Sequence, residues 1–153
     1  MTRTRYVAAA LAAAVMLLTM PARADAPADA EKLRRLDIML MVTGLRCRTT
    51  SDDFQRDFQR FEAAHLADLN AANATLRAGL VRSHGAAGAS RALDRISTSM
   101  ANRYGQGHPS LNCAQLKMAT RTLARMQGRD ALIEAANQLL SPDPRANLAM
   151  ASR

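Results

Sequence analysis

The sequence predicts an all-α protein: a small helical bundle of about five helices with one disulfide, preceded by an N-terminal signal peptide. Three observations predict it. Ala, Leu and Arg dominate, while Val, Ile and Thr are few, a balance that favours helices over sheets. Apolar residues recur at helical spacing along most of the chain. Only two cysteines occur, Cys47 and Cys113, in a chain that opens like an exported protein.

That opening has three parts. Arg3 and Arg5 lie in a start without acids, an uncharged Ala/Leu/Val/Met stretch follows over residues 6–20, and Pro21, Ala22, Arg23 and Ala24 close it. A basic end, a short apolar run and a small-x-small ending are the parts of a signal peptide. Cleavage is expected after Ala24, with Ala22 and Ala24 filling the peptidase's two small pockets; Ala28 and Ala30 offer a later alternative. The apolar run is short of the roughly 20 residues a spanning helix needs. No cysteine adjoins the cleavage site and no Arg-Arg pair precedes it, so the signal reads as Sec-type rather than lipoprotein or twin-arginine. The expected organisation is a signal over 1–24, a linker over 25–29, a helical domain over 30–140 and a tail over 141–153. The expected location is the periplasm or the medium.

Helices follow in order. Leu33, Leu36, Leu40 and Cys47 form one stripe of a first helix over 30–47, with Asp29 as N-cap and Gly44 on the stripe, where it admits a close neighbour. Asp52 and Gln55 have capping-box spacing. The stripe Phe54, Phe58, Phe61, His65, Leu69, Ala72, Leu76, Leu80 then marks a second helix, carrying all 3 phenylalanines. A Gly/Ala/Ser break is expected over 83–88. A third helix over 89–104 turns Leu93, Ile96 and Met100 inward and ends on Tyr104, with Gly105 as its C-cap glycine. After a Gly-rich loop, Ser110 is expected to cap a fourth helix over 111–127 that buries Leu116, Ala119, Leu123 and Met126. Gly128 stops it, and Asp130 caps a last helix to about residue 140. The aromatic share is 3%, so Ala, Leu, Met and Ile must build the core, with Met39, Met100 and Met126 as filler.

In an oxidising compartment, Cys47 and Cys113 are expected to pair. A metal site or a redox pair is the alternative, but neither cysteine lies in a Cys-x-x-Cys motif, which favours a structural disulfide. Histidines are scattered at 65, 84 and 108 without acids at metal spacing, so neither metal nor cofactor is expected. His65, on the phenylalanine stripe, reads as a core-edge histidine with a hydrogen-bonded ring.

Charge is uneven. The chain is +8; without Arg3, Arg5 and Arg23, 18 basic residues face 13 acids, or +5. Residues 51–70 hold five acids against two arginines, whereas residues 77–129 hold nine basic residues and the single acid Asp94. Lys117, Arg121 and Arg125 recur opposite the apolar stripe of their helix and, with Arg91 and Arg95, suggest a cationic surface for an anionic membrane, an acidic polymer or a periplasmic protein. Nucleic acid is not expected, because the basic half offers no set of stacking aromatics. A solvated amphipathic helix has the same pattern. The other candidate is the loop after Tyr104, where Arg103, Tyr104, Gln106 and His108 stand among glycines and a proline beside Cys113. A small hydrolase or lyase site there is the alternative to a binding protein; ordinary turn-making is the simpler explanation of the glycines. No dinucleotide fingerprint, Walker loop, Gly-x-Ser-x-Gly elbow or His-Glu-x-x-His occurs.

With the stretches Met39-Leu40-Met41-Val42-Thr43-Gly44-Leu45-Arg46-Cys47 and Met100-Ala101-Asn102-Arg103-Tyr104-Gly105-Gln106-Gly107-His108-Pro109, the chain resembles a group of small exported proteins of sphingomonad-type bacteria. The resemblance spans roughly residues 33–140 and implies a periplasmic location without an activity. Chains of this kind sometimes carry the label S-adenosyl-L-homocysteine hydrolase. That large cytosolic enzyme has an NAD-binding Rossmann domain, and this chain is too short and lacks the glycine fingerprint.

Overall fold

The computed structural model describes residues 26–142. The expected signal peptide, its cleavage site at Ala22 and Ala24, and the tail beyond residue 142 lie outside the described residues. Within them the protein is all-helical, with α1 (Ala26–Cys47), α2 (Gln55–Tyr104), α3 (Cys113–Leu123) and α4 (Arg129–Leu139). Four helices thus stand in place of about five.

The difference lies in α2, whose 50 residues run through the predicted break. A straight helix of that length would span about 75 Å. Arg34 of α1 nevertheless lines a cavity with Asn70 and Asn73, and also donates to Ser97 Oγ at 3.5 Å. Positions 73 and 97 are 24 apart, about 36 Å on a straight helix, beyond the reach of one side chain. The helix must therefore double back between them. It does so at Gly85, where φ is 68° and ψ is 171° while the flanking residues stay helical. That backbone region is essentially open to glycine alone. One residue makes the corner where six were expected to form a break. Gly85→Ala is expected to cost about 1–3 kcal/mol, read as a lower urea midpoint. No other residue presses on the site, since a Cβ on Gly85 would meet nothing within 4 Å.

Between the two arms of α2 runs α1, which also packs against α3 and α4. Its Leu33, Leu36, Met39 and Leu40 are fully buried. Being enclosed on several sides explains why its buried positions exceed one stripe and include Ile38 and Thr43. Thr43 is accommodated because its hydroxyl donates to Met39 O at 2.7 Å, and buried Thr120 does the same to Leu116 O at 2.7 Å. Phe54 and Phe61 anchor the first arm in the core, with the Phe54 ring against Gly44, as the close-approach reading of that glycine required. On the second arm, Ala89 and Ala92 join Ile96, Met100 and Tyr104 inside, while Leu93 is only half-buried.

Several helix ends differ from expectation. α1 starts at Ala26, so most of the expected linker is its first turn, and Asp29 pairs with Lys32 at 3.2 Å instead of capping. No capping box forms at α2, where Phe54 is the N-cap residue and Asp53 accepts from the Gln55 N–H. Gly105 closes α2 in right-handed backbone, and the positive φ of 109° falls on Gly107. A capping box does open α3, between Asn112 and Gln115, so the helix starts two residues after the expected Leu111. It ends at Leu123, and α4 is capped by Gly128 instead of Asp130. Cys47 and Cys113 are joined, linking the last residue of α1 to the first of α3.

Candidate functional site

The loop after α2 positions His108 by both ring nitrogens. Nδ1 accepts the backbone N–H groups of Ser110 and Leu111, each at 3.2 Å. The ring proton therefore sits on Nε2, which donates to Leu139 O at 3.0 Å. Tyr104 stacks on the ring with centroids 5.3 Å apart, and the Arg103 guanidinium lies 5.5 Å from the Tyr104 ring centre. Both rings are buried, and Gln106 is exposed. Burial chiefly lowers the His108 pKa from 6.5, with the Leu139 carbonyl opposing and Arg103 assisting. Burial likewise raises the Tyr104 hydroxyl above its usual 10.0. The loop brings Arg103, Tyr104 and His108 together, but as a clamp that organises the approach to α3 and fastens the end of α4. Neither nitrogen of His108 is left for a substrate.

His65 plays a parallel part. It is buried, tilts against Phe61, and donates from Nε2 to Leu123 O at 2.8 Å. Leu123 and Leu139 are the last residues of α3 and α4. Each histidine thus bonds the last carbonyl of a helix, and Leu123 O also accepts the Met126 N–H at 3.1 Å.

The five basic residues expected to share a surface fall into two groups. Lys117 donates to Ser51 O at 3.1 Å and stands 4.0 Å from Asp52, while Arg121 Nε bonds Asp57 Oδ2 at 2.9 Å. These bonds dock α3 on the acidic start of α2. Arg91 and Arg95 are exposed on the second arm, just past the Gly85 corner. Counting helix turns along the two arms puts them roughly 30 Å from Asp57 along the bundle. Arg125 joins Arg121 at a cavity of about 400 Å³ that Arg60, Asp57 and Ala124 complete. The Asp57 carboxylate is buried and also meets Arg60 at 3.4 Å. Two guanidinium groups thus meet one carboxylate, while Arg125 lines the same cavity and, among the described residues, has no acid in ion-pair range. Arg60 was not among the sequence candidates, because its place beside Arg121 depends on the docking of two helices 64 positions apart at their Asp57–Arg121 contact.

A second cavity escaped the sequence reading. A groove of about 450 Å³ runs between α3 and α4, lined by Leu111, Met118, Ala119, Leu123, Met126 and Leu139, with polar positions at Gln115, Thr122 and Gln138. Met118 at its mouth is 69% exposed. Ala119 and Met126, expected in the core, are half-buried in this groove. One signal did exist: Met118 falls outside the core stripe of α3, where polar residues would ordinarily stand.

A smaller polar cavity of about 160 Å³ separates α1 from the first arm of α2, with Arg34, Asp37 and Glu62 on its walls. Burial, then nearby Glu62, raises the Asp37 pKa above 3.8 against the opposing pull of Arg34. No group of three or more metal-ligating side chains occurs among the described residues. No helix among them is long and apolar enough to cross a membrane. No protein-family model, curated protein or solved structure matches the chain.

Proposed function

We propose that this is an exported binding protein without enzymatic activity, which meets an anionic partner through the arginine cleft between α2 and α3. The observation that carries this reading is that Arg60, Arg121 and Arg125 line one cleft with Asp57, which pairs with Arg60 and Arg121 but leaves Arg125 without an acid in ion-pair range among the described residues. The excess positive charge is held at a concave surface, and guanidinium groups suit carboxylate and phosphate oxygens. The partner class is an anionic membrane surface. Lys117 serves mainly to dock α3, and Arg91 and Arg95 form a separate exposed pair. Export to the periplasm is supported by the signal-like sequence of residues 1–24 and by the disulfide, a bond that persists in oxidising compartments.

Vesicle co-sedimentation tests the reading. The protein is expected to bind vesicles containing phosphatidylglycerol, to ignore neutral ones, and to lose binding as salt rises. The double variant Arg60→Glu/Arg125→Glu leaves the Arg121–Asp57 pair in place. It is expected to bind roughly thirtyfold more weakly, since each of the two basic residues at an anionic surface contributes about 1 kcal/mol. Unchanged binding by a variant with wild-type circular dichroism would refute the cleft as the contact surface.

A further inference from the structure

We propose that the arginine cleft and the α3–α4 groove form one site for a single-chain carboxylate, whose apolar chain lies in the groove while Arg125 and Arg121 hold its head. This rests on the reading of the cleft as an anion site and names the ligand class. The two cavities draw on interleaved positions of the same stretch of chain. Arg121, Ala124 and Arg125 line the first, and Thr122, Leu123 and Met126 line the second. Met118 of the groove and Arg121 of the cleft are three positions apart on α3, so their Cβ atoms stand about 5–6 Å apart and the two linings adjoin there.

Size and chemistry select the occupant. At about 450 Å³, the groove lies within the range of about 300–1,000 Å³ typical of small-molecule sites. Its walls are two helices of 11 residues, each about 16 Å long. That length suits a medium acyl chain. A protein partner would need on the order of 800 Å² of surface from each side. No charged side chain lines the groove, whereas every residue lining the cleft except Ala124 is charged. An amphiphile with one anionic end satisfies both. The exposed Met118 is a flexible, polarisable side chain able to close over a chain of variable shape.

Calorimetric titration of the disulfide-bonded full chain with dodecanoate, below its micelle concentration, tests the proposal. Saturable binding of one molecule per chain is expected. Met118→Asp, at an exposed position, and Thr122→Phe, which fills the groove mouth, are each expected to weaken it at least tenfold and to leave vesicle binding intact. Arg125→Glu is expected to weaken dodecanoate about tenfold, and dodecanol should bind about tenfold more weakly than dodecanoate. No saturable binding, or binding indifferent to both groove variants, overturns the inference while vesicle binding stands on its own. Tighter binding of dodecyl phosphate than of dodecanoate overturns the carboxylate head. A dimer in gel filtration that Met118→Asp dissolves assigns the groove to a second copy. Binding gained only when residues 143–153 are removed assigns it to that segment. Either result overturns the inference. Loss of function in the cleft is read separately, from the vesicle assay of Arg60→Glu/Arg125→Glu.

Discussion

Replacing Cys47 and Cys113 together with alanine is expected to lower folding stability by about 4 kcal/mol, the chain-entropy cost of releasing a loop of this size. The bridge closes 66 positions. Within that loop lies all of α2, including the Gly85 corner. Unlinked, the unfolded chain explores far more arrangements of that segment, and folding must reverse all of them. A domain of this size has a stability of about 5–15 kcal/mol, so the loss is a large share. Paired urea titrations of the oxidised and alanine forms are the measurement. The denaturant slope should also rise in the alanine form, because its unfolded state exposes more surface. A midpoint unchanged on removing the bridge would mean that the reduced chain keeps the ends of α1 and α3 together without it.

The second large effect is expected at His108. Substitution by alanine removes an acceptor from two backbone N–H groups, a donor from Leu139 O and a ring from Tyr104. Buried polar groups left without partners cost about 1–3 kcal/mol each when they stay dry, and partial hydration of the vacated space reduces that. A net loss of about 3 kcal/mol follows. Two substitutions separate the contributions. His108→Asn supplies an oxygen near Nδ1 and should restore the bonds to Ser110 and Leu111. His108→Gln supplies a nitrogen near Nε2 and should restore the tie to α4. Thermal melts that found both no better than alanine would place the effect in ring packing.

The same histidine sets a pH dependence. Its folded pKa lies below 6.5, so the folded state favours the neutral ring while the unfolded chain takes up a proton near 6.5. The unfolded state therefore binds more protons on acidification, and stability falls as the pH is lowered. The contribution is complete above pH 6.5 and is lost as pH drops through the lower folded value. Protonation of Nδ1 would also turn the acceptor of two N–H groups into a donor. Melting temperatures at pH 7.5 and 5 should differ more for the wild type than for His108→Ala.

Much of the framework was legible from residue order. The phenylalanine stripe marks the first arm of α2, and a histidine on such a stripe must bond its ring, as His65 does to Leu123 O. The two cysteines of an export-type chain imply the disulfide that joins α1 to α3. Boundaries were less legible. Asn112 captured the cap of α3 from Ser110 because Gln115 stands three positions on and reciprocates its bond. Gly105 looked like the positive-φ residue after α2, yet the turn needed that geometry at Gly107. Local sequence offers several acceptable caps, and the surrounding packing selects among them.

The candidate site was legible only in part. Arg121 and Arg125 were recognised as basic positions on one helix face, but the partners of that face were not. Lys117 and Arg121 meet acids more than sixty positions away, whereas helical spacing reports only on near neighbours. Arg91 and Arg95 joined the group on charge alone, and the reversal at Gly85 carried them to another part of the bundle.

The sequence by itself determined that this protein is helical, that its two cysteines pair, and that its core is aliphatic around a few phenylalanines. Those features follow from composition, periodicity and thiol chemistry, which belong to contiguous residues or to residue types. Tertiary structure alone decided that one glycine turns α2 back on itself, that Lys117 and Arg121 of a three-residue basic stripe are used in docking, and that α3 and α4 leave an apolar groove beside an arginine cleft. Those features depend on which faces meet, a choice made by burying α1 against every other helix at once.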